Sequence, residues 1–204
     1  MKLVDLPVRR YIEKAMDTSS LPGGGSVAAL NAALAASLGI MILKLSRVDG
    51  PASGVLAEIA LDAEDNIDAD GHAFDGVLAA FRLPKETESE KTLRREAIEK
   101  GYIRAIEVPI STMRAAEKIL NLLNDCKAQI TKNAVSDLYI AADLALTAFR
   151  SAGYTAKLNI DALKDDARRR SYEERVQTAA EQVQALHAAI LVSAPLLDDT
   201  SQKQ

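Results

Sequence analysis

The chain has 204 residues, enough for one domain with a full core, and its formal net charge of −4 offers nucleic acid or an anionic membrane no electrostatic attraction. One cysteine, Cys126, excludes an internal disulfide, and two histidines, His72 and His187, lack the spacing of a zinc or histidine-rich metal centre. Hydrophobic residues reach 48% while aromatics are 4% and tryptophan is absent, so the interior has to be assembled from Ala, Leu, Ile and Val, a composition suited to closely packed helices.

The N-terminus, Met1 to Pro7, has no apolar signal-peptide core, and the cytoplasm is the expected compartment. A first helix is predicted after Asp5, with Pro7 in its first turn and Val8, Tyr11, Ile12, Ala15 and Met16 along one side. Between Leu21 and Leu43 the chain carries no charge; Pro22-Gly23-Gly24-Gly25-Ser26 leads straight into an Ala-rich second helix. Its larger residues Val27, Leu30, Leu34, Leu38, Met41 and Leu45 recur at helical intervals with alanines on the other faces, and the helix is expected to be surrounded. The run has the length of a membrane span, but its alanines, Asn31, Ser37 and the lack of flanking aromatic or basic belts favour a buried core helix. A Walker-type phosphate loop is excluded because Gly25-Ser26 is followed by Val27 rather than by the lysine pattern. Two readings of the glycines remain. The unpaired N–H groups of the helix start could hold an anionic or carbonyl-bearing ligand, or the segment is a turn capped by Ser26 with small residues admitting neighbouring helices.

A third helix is predicted from about Ser53 to Phe81, with Leu56, Ile59, Ala60, Ala63, Ile67, Phe74, Val77 and Phe81 in register and Asp70 the one polar intruder. Leu83-Pro84-Lys85 ends it, and Thr87 to Glu90 has the form of a capping box. The fourth helix should reach about Leu123; Pro109 inside it leaves the carbonyl of Ala105 without its donor and predicts a kink or break. A fifth helix is predicted from Asn133–Asp137 to a stop at Gly153. A last one runs from near Ala156 to Ile190, bending around Asp165–Arg170, with a polar tail after Leu197. No strand alternation or internal repeat occurs. The fold class is therefore all-α: a single domain over 1–204, a bundle of about six helices with long central ones, expected to pair as a homodimer.

Asn66 to Gly71 imitates the opening of a calcium-binding EF-hand loop, yet the twelfth position holds Val77 instead of glutamate, so calcium is not expected. Asp70 remains, a carboxylate on an apolar face, which either meets a basic partner or cap or faces a site. His72 points to the opposite helical side, and no Gly-x-Ser-x-Gly nucleophile motif is present. Lys85 follows a rigid corner, and Asp137 stands where the exposed N–H groups of the fifth helix would favour its charge.

Taken in order, Pro22-Gly23-Gly24-Gly25-Ser26-Val27-Ala28-Ala29, Asp70-x-x-Ala73-Phe74-x-x-Val77, Leu83-Pro84-Lys85-x-Thr87, Val108-Pro109 and Val135-Ser136-Asp137 through Asn159 resemble the cyclodeaminase/cyclohydrolase family of folate enzymes. The resemblance implies an all-helical homodimer that takes a tetrahydrofolate derivative as substrate; from the histidine and cysteine content no metal is expected. Members either release ammonia from 5-formiminotetrahydrofolate or hydrolyse 5,10-methenyltetrahydrofolate to the 10-formyl form. Carried onto this chain, it implies Asp70, Lys85 and Asp137 as catalytic residues and Gly23, Gly24, Gly25, Ser26, Ser136 and Asn159 as substrate-binding ones. A carboxylate suits the chemistry, since the methenyl bridge is a delocalised cation attacked by water. An unbroken helix from Asp70 to Leu83 would hold its ends about 20 Å apart, so Asp70 and Lys85 would serve opposite ends of the folate or meet across a dimer. Without an attached formiminotransferase domain the cyclohydrolase is the preferred expectation and the cyclodeaminase its alternative. Two departures from the family pattern, Arg47-Val48-Asp49-Gly50-Pro51 in place of a basic loop and Thr155-Ala156 in place of Asn-Val, would instead fit a non-catalytic helical binding or scaffold protein.

Overall fold

The computed structural model describes residues 2–18 and 21–192, so the expected tail after Leu197 lies outside the described residues. They form six α-helices: α1 (Val8–Ala15), α2 (Gly24–Leu45), α3 (Ala52–Phe81), α4 (Glu88–Cys126), α5 (Val135–Asp161) and α6 (Asp166–Leu191), with two short 3₁₀ turns before α5. The all-helical prediction is met.

α2 is the central helix, packed chiefly against α3 and α5 and less extensively against α4. Its end is tied to the approach of α5, where Thr131 N–H donates to Ser46 Oγ at 3.1 Å, so α5 runs antiparallel to α2. By length and composition α2 could cross a membrane, with mean hydropathy 2.0 in a window of which 56% is buried. The expectation that α2 is surrounded has to be corrected. Ala28, Ala29, Ala32, Ala33, Ala35 and Ala36 form the buried faces, whereas Val27 (38%), Leu34 (49%), Met41 (38%) and Leu45 (59%) stay exposed along one row. Small residues let three neighbouring helices approach closely, and at Gly39 an added Cβ would lie only 3.1 Å from Leu56 Cδ1. The bulky row therefore faces away from that contact.

α1 shows a related difference. Tyr11 is its one buried residue, while Val8, Ile12 and Met16 point outward. α3 matches its predicted span within a residue and carries Leu56, Ile59, Ala60, Ala63, Ile67 and Val77 into the core, but Phe74 and Phe81 remain exposed. The capping box forms as predicted: Thr87 Oγ1 accepts from Glu90 N–H at 3.2 Å, and Glu90 Oε2 accepts from Thr87 N–H at 2.9 Å.

α4 runs unbroken through Pro109 for 39 residues. The break foreseen there does not occur, because the carbonyl of Ala105 finds a donor from another helix, the Asn159 amide of α5. α5 likewise passes through Gly153 to Asp161, correcting the predicted stop. Burial of Ala148, Ala152, Ala156 and Ile160 on one face outweighs the roughly 1 kcal/mol helix cost of a glycine. The true boundary is at Asp165, whose carboxylate accepts from Ala167 and Arg168 N–H at 3.0 Å and starts α6 ten residues later than expected.

Candidate functional site

α2 begins at Gly24 with Gly23 as its N-cap, and neither glycine supplies a capping side chain. Ser26 is the third residue of the helix rather than its cap. The charge at this helix start comes from α3: Ser26 N–H donates to Asp70 Oδ2 at 3.2 Å. Such an approach requires glycine at position 25, where a Cβ would stand 2.1 Å from Asp70 Oδ1. The amides of Gly24 and Gly25 have no protein partner among the described residues.

Asp70 is in no ion pair among the described residues, so its one bond to the Ser26 amide is weighed against partial burial. Burial prevails and raises its pKa above the ordinary carboxylate range, with the Ser26 amide pulling the other way. A carboxyl held in this condition can accept and return a proton closer to neutral pH than a solvated aspartate can.

The Ser26 hydroxyl is wholly committed inside the protein. It is fully buried, donates to the Ile67 carbonyl at 2.8 Å and lies 3.1 Å from the Tyr11 hydroxyl, which is therefore the donor of that pair. Tyr11 was read in the sequence only as part of an apolar stripe; nothing in its spacing announced a polar task. Burial also raises the Tyr11 pKa, so the phenol stays protonated and able to donate. Asp68, part of the calcium-like stretch, accepts from Leu3 N–H at 2.6 Å and Val4 N–H at 3.4 Å and straps the N-terminal segment to α3. At Gly71 an added Cβ would lie 1.8 Å from Leu21 Cδ2, so this second glycine seats the segment leading into the Gly23–Ser26 turn.

Asn159 joins this end of the bundle. Its Nδ2 donates to the carbonyls of Ala105 at 2.9 Å and Thr155 at 3.2 Å. Ala105 in turn packs with Ala73 and Val77 just beyond Asp70 on α3. Lys85 is exposed past the end of α3, at least about 16 Å along the helix axis from Asp70. Ser136 and Asp137 occupy the first turn of α5, roughly 33 Å along that helix from Asn159. Within one chain, then, the fold brings Gly25 and Ser26 against Asp70 and places Asn159, bonded to Ala105, at the same end of the bundle; it does not bring Lys85, Ser136 or Asp137 to them. A separate cleft of about 440 Å³ between α4, α5 and α6, floored by Met113 and Phe149, contains none of these residues. Among the described residues no three His, Cys, Asp or Glu side chains are grouped to hold a metal ion.

The fold defines an all-helical protein whose glycine-led central helix meets a carboxylate of the neighbouring helix at its start. Residues 7–178 match the profile of the formiminotransferase-cyclodeaminase family, and the chain belongs to that family. It is 26% identical over 205 residues to the formimidoyltransferase-cyclodeaminase of Rattus norvegicus, covering 94% of this chain, and 28% identical over 202 residues to that of Gallus gallus. The chain spans 37% of the length of either relative. A methenyltetrahydrofolate cyclohydrolase of Methylorubrum extorquens is 27% identical over 170 residues, covering 78% of this chain and 82% of that protein. The crystal structure of a formiminotetrahydrofolate cyclodeaminase from Thermotoga maritima superposes with a TM-score of 0.83 at 19% identity over 94% of this chain and 96% of that one, a likeness of fold.

Proposed function

We propose that this chain is a folate one-carbon enzyme that hydrolyses 5,10-methenyltetrahydrofolate to 10-formyltetrahydrofolate, acting in the cytoplasm as a homodimer. The observation that carries the reading is Asp70: a partly buried carboxyl with a raised pKa and, among the described residues, no ion pair, beside the amides of Gly24 and Gly25, which have no protein partner there. Similarity to the Methylorubrum extorquens cyclohydrolase over 82% of that protein's length supports the choice of reaction.

The carboxylate favours the cationic bridge and takes a proton from water as its oxygen bonds to the bridge carbon. Protonation of N5 and cleavage of its bond to that carbon follow; the carbonyl forms as the added hydroxyl loses its proton, leaving the formyl group on N10. One water is consumed and one proton released. The N–H groups of Gly24 and Gly25, without a protein partner among the described residues, suit a carbonyl or a developing oxygen charge. Lys85 and Asp137 take part at a distal portion of the substrate or in the site of a second copy. The exposed row Val27, Leu34, Met41 and Leu45 supports the dimer.

A second reading, release of ammonia from formiminotetrahydrofolate, is favoured by the vertebrate relatives, which match over 93–94% of this chain. Following the loss of methenyl absorbance with wild type and Asp70→Asn tests the first reaction, and measuring ammonia from formiminotetrahydrofolate tests the second. Failure of the wild type on both, with no folate binding, leaves the non-catalytic binding or scaffold reading.

A further inference from the structure

Among the described residues α3 runs on past the start of α2, with Leu21 seated at Gly71, on the face that α2 covers lower down. Leu56 and Ala63, on that face, are fully buried, but Phe74, one turn past Asp70, is 49% exposed. Residues four apart on a helix hold their Cβ atoms roughly 5–6 Å from each other, and a helical side chain leans over the turn preceding its own Cα. The Phe74 ring therefore overhangs the turn that carries Asp70. Among the described residues no aromatic ring or cation engages the Phe74 ring. Phe81, further along the same side, is already engaged, edge-on to Tyr102 at 6.3 Å and beneath the Arg94 guanidinium at 5.5 Å.

We infer that Phe74 is the stacking platform for the planar pterin portion of the substrate, holding the one-carbon bridge over Asp70. This rests on the proposed folate reaction and adds to it the residue that selects for a flat heteroaromatic ring. An unpaired aromatic face beside a reacting carboxyl fits a ring system, which stacks whatever its edge hydrogen bonds.

The test compares Phe74→Leu, Phe74→Tyr and Phe74→Trp in the full chain. Binding of tetrahydrofolate is measured by titration calorimetry, and kcat and KM by methenyl absorbance. Phe74→Leu, which keeps the hydrophobic volume and loses the π-face, is expected to raise Kd and KM about tenfold. Its kcat should move less than about threefold, while the Tyr and Trp variants stay within about threefold of wild type on every parameter. Unchanged binding in Phe74→Leu, or an equal loss in all three variants, overturns the platform. A loss that tracks dissociation of the protein in sedimentation assigns Phe74 to a subunit contact instead and also overturns it. Failure of the underlying reading looks different: the wild type itself neither binds tetrahydrofolate nor consumes the methenyl substrate.

Discussion

Asn159 supplies the hydrogen bond that Pro109 removes. The proline has no N–H for the carbonyl of Ala105, and the Asn159 amide of α5 donates to that carbonyl at 2.9 Å, joining the two helices and satisfying the buried backbone group at once. Asn159→Ala should cost about 1–3 kcal/mol, the usual penalty for a stranded buried acceptor. Adding Pro109→Ala restores a helical donor, and the Asn159→Ala cost should then fall below about 1 kcal/mol. Urea unfolding of the four proteins decides the matter; additive costs would show that the two residues are not coupled.

Gly25 and Asp70 form a second coupled pair. Gly25→Ala places a Cβ 2.1 Å from the carboxylate and should destabilise by about 1–3 kcal/mol, as overpacking does, with loss of activity. Gly24→Ala, which meets open space, is the control and should retain activity. In an Asp70→Ala background the Gly25→Ala penalty should largely vanish. Thermal unfolding of the double variant would refute the assignment if the penalty persisted undiminished.

Asp70 itself links pH to both stability and rate. Its folded pKa is raised, so below the unfolded pKa both states hold the proton and no penalty acts. As pH rises from about 4 through the higher folded value, the unfolded chain ionises first and stability drops, levelling off above that value. Asp70→Asn removes this contribution and should melt at the same temperature as wild type or higher at pH 7, while losing about 10²–10⁴ in kcat. The acid limb of the wild-type rate should lie above the ordinary carboxylate range. A variant that is both less stable at pH 7 and fully active would contradict the role given to this side chain.

The exposed α2 row predicts a single-site disruption of the proposed dimer. Leu34 lies midway along it at 49% exposure, and Leu34→Glu buries nothing in the isolated chain. The variant should keep its helical circular dichroism but sediment as a monomer. Persistence of a dimer would move the interface elsewhere; a wild type that is already monomeric would remove the dimer from the proposal.

Much of the fold is local in origin and legible in the residues. The span of α3, the Thr87–Glu90 capping box and the uncharged α2 all follow from period, caps and composition, which act within a few residues along the chain. Asp70 stood out for the same reason, a charge interrupting an apolar stripe. The limits of α5 were misread because Gly153 is a weak local stop, and its effect is overruled by burial of alanines against two other helices.

By itself, then, the amino-acid order determined an all-helical chain with a glycine-led central helix and an anomalous aspartate. Only the tertiary structure decided what that aspartate meets: the amide of Ser26, through a gap that exists because Gly25 has no side chain. It also decided that Tyr11 reaches the Ser26 hydroxyl, that Asn159 answers Pro109, and that α2 turns its large residues outward. Those outcomes depend on contacts between residues tens of positions apart, whose geometry is set by how closely small side chains allow helices to approach, and no window along the chain contains both partners.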